Sequence, residues 1–210
     1  MDDLNTVFEQ RIDEAFSRFQ SAYALLDYCV YQPLSGILEE AEKKISCHKG
    51  CDACCCRIVL CSRIEAVGII EFIEQNLSKR AAELKSRISA HSEKIQKFIF
   101  SQDCAKNPEE YSLWFAKKTP CPFLEKGSCL IYQARPLACR TYHSLENPRK
   151  CRNPLRQVRQ LKLLTDADHL FLIIIQKIGK RFSDQMAVRG VLTITLDMLF
   201  KGMETKTDNP

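Results

Sequence analysis

The sequence predicts a mostly α-helical single domain with two irregular cysteine-rich loops. Three observations predict it. Only seven glycines occur in 210 residues, and alternating apolar and polar residues are scarce, so there is little to build strands from. Apolar residues instead recur at steps of three and four, as one face of a helix requires. Most of the twelve cysteines fall into two stretches that also hold turn-forming residues. With 45% hydrophobic and 27% charged residues, a core of useful size can form without staples. The cysteines therefore need a purpose other than basic stability.

The elements follow in order. From about Asp3 to Tyr28, Phe8, Ile12, Phe16 and Phe19 stand at helical spacing. A second helix is expected from about Pro33 to Lys44, with Pro33 tolerated in a first turn. Cys47 to Cys61 is too dense in cysteine for a regular element. Ser62 with Glu65 three residues on reads as a capping box. It opens a helix through about Asn76 that buries Ile64, Val67, Ile70 and Ile73. From Lys79 to Phe100, Leu84, Ile88, His91, Ile95 and Phe98 mark one clean face. A short helix is expected over Glu109 to Lys117. Pro120, Pro122, Gly127 and Pro136 break any long helix between Thr119 and Cys151. Beyond lie helices from about Leu155 to Leu164 and Asp166 to Ile178, with Thr165 and Asp168 as a cap between them. A last helix is expected over Ser183 to Phe200. The organisation is N-terminal helices over 1–44, a cysteine-cluster region with intervening helices over 45–152, C-terminal helices over 153–202 and a polar tail over 203–210.

The N-terminal MDDLNTVFEQ has no basic or apolar leader, and the longest apolar run, Leu170 to Ile175, is far short of a span. The expected setting is the reducing cytoplasm, with no membrane, where cysteine-rich chains hold metal rather than disulfides. A net charge of +5 decides nothing about partners. Its distribution is uneven: Arg135, Arg140, Arg149, Lys150, Arg152, Arg156, Arg159 and Lys162 are opposed only by Glu146. A solvated face is the first reading of that run. Nucleic-acid binding is the lesser one, since aromatic residues interleave it thinly.

The chemistry lies in the cysteines. Five fall within CHKGCDACCC, residues 47–56. Thiolates are soft ligands suited to zinc and to iron–sulfur clusters. Cys51 and Cys54 have the two-residue step that lets two thiolates of one turn reach one ion. Cys47 lies one short turn earlier, and Gly50 can bend the backbone between them. The second stretch, CPFLEKGSCLIYQARPLACR, sets Cys121, Cys129 and Cys139 each beside a turn signal or a proline. Neither stretch supplies a full set of well-spaced ligands, so the economical arrangement folds the two together around the metal. Such a link between distant segments also stabilises the fold.

Cys47, Cys51, Cys54 and Cys55, followed by Cys121-Pro122-x-Leu124, Gly127-x-Cys129, Ile131-Tyr132, Arg135-Pro136 and Cys139-Arg140, resemble the YkgJ-type cysteine-cluster family. Arg140-Thr141-Tyr142 and Cys151 fit the same pattern. The resemblance covers roughly residues 45 to 152. It implies a zinc- or iron-chelating domain with Cys47, Cys51, Cys54, Cys55, Cys121, Cys129 and Cys139 as ligands and Cys151 as a further candidate. It implies no defined reaction, and whether the protein is an enzyme stays open. Seven or eight thiolates exceed one tetrahedral zinc. They suit two zinc ions, or an iron–sulfur cluster with spare thiols. The Cys47-x3-Cys51-x2-Cys54 step also occurs in radical S-adenosylmethionine enzymes, but no repeat of strands and helices follows here. The flagellin lysine methylases, which resemble this family, are a nearer analogy for an iron or iron–sulfur enzyme acting on protein side chains. This chain lacks a Gly-rich cofactor loop.

Cys29, Cys56, Cys61 and Cys104 lie outside the pattern and read as small buried hydrophobes. His143, four residues after Cys139, is the best non-cysteine ligand candidate. His48 is expected near the site or in solvent, His91 in the core or at its edge, and His169 on a helix surface. Arg135 and Arg140 would offset gathered thiolate charge or receive an anionic group; otherwise Arg135 pairs with an acidic side chain and locks its loop. Tyr132 and Tyr142 are expected to pack in the wall of the site. A protein partner or substrate is expected but not specified by the residues.

Overall fold

The computed structural model, described over residues 10, 12–48, 50–101, 114–153 and 158–207, is mostly helical. The N-terminal stretch is interrupted where one helix was expected. Helix α1 covers 12–18, and Ser21 then accepts a hydrogen bond from the Ala24 N–H to open α2, Ala22–Leu26. A π-turn over Asp27–Tyr31 leads without a break into α3, Gln32–Ala41. Pro33 has no N–H to give to the carbonyl one turn back, and the π-turn accommodates that missing bond. The expected boundary at Pro33 is thus a local widening inside one run. Phe8 lies outside the described residues.

Strand β1, Leu60–Ser62, ends at the capping box of α4, Arg63–Asn76. The Ser62 hydroxyl accepts from the Glu65 N–H, and the Glu65 carboxylate accepts from the Ser62 N–H. Ile64, Ile70 and Ile73 are buried as expected, while Val67 is only half-buried. Ala66, Gly68 and Ile69 are buried as well, because α4 is packed on more than one side. Helix α5, Ala81–Ser101, buries Leu84, Ile88, His91, Ile95 and Phe98, the face that its periodicity predicts. Of the short helix expected to end near Lys117, residues 114–116 are helical.

Strands β2, Leu124–Glu125, and β3, Ser128–Cys129, form a hairpin. Its two turn residues, Lys126 and Gly127, have φ of 48° and 76°. Positive φ at both positions is the type I′ geometry that matches strand twist. Short helices α6, Leu137–Thr141, and α7, Pro148–Cys151, follow. Helix α8 runs unbroken over Lys162–Phe182, not as two helices. Thr165 does not cap there: its hydroxyl bonds back to the Leu161 carbonyl. Asp168 is drawn to the Thr141 hydroxyl at 2.9 Å. The expected last helix is also replaced in part. A 3-10 turn over Asp184–Ala187 precedes β4, Arg189–Val191, which pairs antiparallel with β1. Helix α9 then runs from Leu192 to Thr207, into the expected tail.

Two large cores share α4. In one, Leu25, Leu26, Val30 and Leu34 of the N-terminal helices pack against Phe171, Ile174, Ile175 and Ile178 of α8, with Ile64 and Leu137. In the other, Ile69, Ile70 and Ile73 meet Leu84 and Ile88 of α5, Leu192 and Leu196 of α9, and Phe123 and Ile131 of the hairpin region. The Glu65 carboxylate joins these parts. Besides Ser62, it accepts from the Tyr31 hydroxyl at 3.1 Å and the Leu137 N–H at 2.6 Å. Among the described residues no helix is long and apolar enough to cross a membrane.

Candidate metal centre

The first cysteine stretch is a series of tight turns. The N–H groups of Cys51, Cys55 and Arg57 bond to the carbonyls of His48, Asp52 and Cys54. Gly50, between the first two cysteines, has φ +91°, a conformation that side chains with a Cβ resist. The second stretch lies against it. The Cys121 N–H donates to the Cys55 carbonyl at 2.7 Å, and the Ser46 N–H to that of Ser144 at 2.8 Å. A Cβ added to Gly127 at the hairpin turn would stand 3.8 Å from the Gly50 carbonyl oxygen. Arg152 and Asp52 form a further ion pair across the two.

Cys51, Cys54 and Cys55 from the first stretch and Cys121, Cys129 and Cys139 from the second line one cavity of about 350 Å³. Cys47 and Cys151 flank it. Cys151 is buried beside Ala53 and Val158, with Cys51 packed against that group. The Cys47 sulfur accepts a hydrogen bond from the Ser144 N–H at 3.3 Å. Cys47 interacts electrostatically with Cys51, Cys54 and Cys151. Cys139 does so with Cys121, Cys54 and Cys129. Cys54 interacts with both.

Burial favours the neutral thiol at several of these cysteines. Burial raises Cys139 well above the usual thiol range and lifts Cys121 to about 12. Cys47 and Cys129 are raised for the same reason. Cys54 shifts the other way. The hydrogen bond from Cys55 lowers it, with smaller help from Arg57 and Arg135, and the same bond holds Cys55 protonated. Among the described residues, no group of three or more His, Cys, Asp and Glu side chains is arranged as it stands to hold an ion. The donor chemistry nevertheless fits one. Six soft ligands share a cavity where burial makes a bare thiolate costly, and a cation would offset that cost.

The other candidates divide. The Nε2 of His143 bonds to the Arg140 carbonyl, while its buried Nδ1 has no partner. The ring is not part of the cavity lining, so His143 braces its loop. His48 is exposed, with Nδ1 3.2 Å from the Ser46 carbonyl. His169 is exposed on α8. His91 is buried, bonded to the Thr193 hydroxyl at 3.2 Å and edge-on to Trp114. Cys29 and Cys61 are buried in the two cores. Cys56 is half-buried rather than a core residue, because its turn faces Asp52 and Arg152. Cys104 lies outside the described residues.

The basic run is largely used within the fold. Arg140 stacks on Tyr31 and donates to the carbonyls of Arg135 and Gln133. Lys150 pairs with the buried Glu146, which also accepts from the Arg159 N–H. Among the described residues Arg135 meets no acidic side chain that would lock its loop. It lies over the Tyr132 ring at 3.6 Å and donates to the Tyr132 carbonyl. Tyr132 is exposed, and Tyr142 is half-buried. Two arginines of the cavity, Arg57 and Arg189, were not singled out in the sequence. Arg57 directly follows the CCC run, which could have flagged it. Nothing local marks Arg189, which arrives from β4. Comparison with family models, curated proteins and solved structures gives no match to this chain.

Proposed function

We propose that the protein binds zinc or iron through thiolates of both stretches, as the YkgJ-type cysteine-cluster resemblance implies. One observation carries this reading: Cys51, Cys54, Cys55, Cys121, Cys129 and Cys139 line a single cavity, with Cys47 and Cys151 at its flank. Metal uptake would rotate these side chains inward and expel their protons. Six cysteines in one cavity favour two ions or one multi-iron cluster over a single tetrahedral ion, which takes only four ligands. The cytoplasm is the compartment in which these thiols stay reduced.

Elemental analysis of protein purified without oxygen tests the reading. More than one zinc or iron per chain is expected, falling in a Cys54→Ser variant. Metal-free protein from both zinc- and iron-supplemented cultures would reject it. A second reading, an iron or iron–sulfur enzyme, is favoured by the cavity's apolar walls and arginines, which exceed what a purely structural ion needs. A brown anaerobic protein supports that reading; a colourless one with tight zinc supports a structural or carrier site.

A further inference from the structure

The cavity is lined by two arginines whose Nε atoms find no hydrogen-bond partner among the described residues. Arg57 lies over the rings of Phe115 at 4.6 Å and Tyr142 at 5.1 Å, which fixes its plane. Its Nε is buried and has no hydrogen-bond partner. Arg189 also lines the cavity, and its Nε is buried and unpartnered too. Among the described residues neither guanidinium meets a carboxylate. Elsewhere the chain does match arginine with acid: Arg80 forks onto both oxygens of Glu125 at 2.9 Å. A buried donor without an acceptor is costly.

Thiolate charge does not account for both arginines. Arg57 and Arg135 favour the Cys54 thiolate. The charge of Arg189 is felt at Cys61, a fully buried residue that does not line the cavity. The remaining wall is apolar, with Ile58, Leu60, Phe123, Ile131 and Leu192. A cavity of about 350 Å³ is of small-molecule size. A doubly charged phosphate would lose much hydration among such walls, whereas one carboxylate matches a guanidinium fork in shape and charge.

We propose that this cavity binds a small monocarboxylate with an apolar body, its carboxylate held by Arg57 and Arg189 and its body lying along the aliphatic wall. The proposal deepens the metal reading, because the ligand would occupy the cavity that the cysteines line. Most of the cavity lining lies in the two cysteine stretches, so binding is expected to be tighter with metal bound than after chelation.

Titration calorimetry with octanoate, octanol and inorganic phosphate tests it, using full-length protein with its metal and after chelation. Octanoate should bind at least tenfold more tightly than octanol, and phosphate more weakly than octanoate. Arg189→Met should weaken octanoate at least tenfold while leaving metal content and melting temperature unchanged. Should that variant fail to fold, Arg57→Lys keeps the charge, removes the fork and should still weaken octanoate severalfold. Equal binding of octanol, tighter binding of phosphate, or octanoate affinity unchanged in the folded variant would overturn the proposal. Octanoate binding by a protein that takes up no metal rejects the metal reading alone. Metal uptake without octanoate binding rejects this proposal alone.

Discussion

Replacing Glu65 with alanine would strand four buried donor contacts: the Tyr31 hydroxyl, the Leu137 N–H, and the N–H and hydroxyl of Ser62. Unsatisfied buried donors cost roughly 1–3 kcal/mol each. Partial relaxation makes a loss of about 3–5 kcal/mol the expectation for Glu65→Ala, and less for Glu65→Gln, which keeps one acceptor oxygen. Urea denaturation measures both; equal stability of the alanine variant would deny the carboxylate this role. His91 carries a pH dependence. Burial, aided by Lys94, lowers it from the ordinary 6.5 to about 4. Between those values the unfolded chain binds a proton that the folded chain refuses, so stability is full above about 6.5 and falls as pH drops toward 4. The loss is on the order of 2 kcal/mol, allowing for partial solvent access. His91→Gln should flatten the decline between pH 7 and 4.5; an undiminished decline would place acid sensitivity elsewhere. His91 was legible because its place on the apolar face follows from periodicity. Only half of Glu65 was legible. Its cap to Ser62 spans three residues, while its bonds to Tyr31 and Leu137 depend on the tertiary fold.

The same distinction decides which elements could be read. The α4 cap and the α5 face are local patterns, and both appear where expected. The C-terminal region depends on distant partners. Thr165 and Asp168 look like a cap, yet Thr141 takes Asp168 and the helix runs through. Arg189–Val191 reads as helix, yet β1 lies beside it and turns it into a strand. Gly179 shows how closely these pieces meet. A Cβ there would lie 2.6 Å from the backbone of Ala187, in the turn that folds over the end of α8. Backbone cannot yield as a flexible side chain does, so Gly179→Ala is expected to cost about 1–3 kcal/mol. Thermal unfolding checks this; an unchanged melting temperature would mean that the turn moves aside freely.

At the scale of the whole molecule, residues 47–59 have few apolar anchors, whereas the second cysteine stretch sends Phe123, Ile131, Ala134 and Leu137 into the two cores. If the proposed metal is bound, its removal should therefore act unevenly. Hydrogen exchange after chelation should rise first in residues 47–59, next in 119–151 and least in α4, α5 and α8. A bound structural ion contributes on the order of 10 kcal/mol in small zinc domains, comparable to the full stability of a domain. The apo form is thus expected to melt much lower. Unchanged exchange in both stretches, with metal shown to be gone, would mark the site as preformed. The convergence of the stretches was legible from the number of thiols and the shortage of ligands in either one. The cavity beside them was not, because its Arg189 and Leu192 come from the far end of the chain.

The bond between Ser46 and Ser144 spans 98 residues and sits beside Cys47. On a ribosome the two ends of that bond are not made together. At about 5–20 residues per second, the first cysteine run waits roughly 5–20 seconds for Ser144 to be synthesised. During that interval a nascent chain displays thiols that have neither their backbone partners nor their covering hairpin. Fidelity of assembly is therefore a matter of timing: oxidants, and metals that bind a few thiols tightly, have their best access before the second stretch emerges.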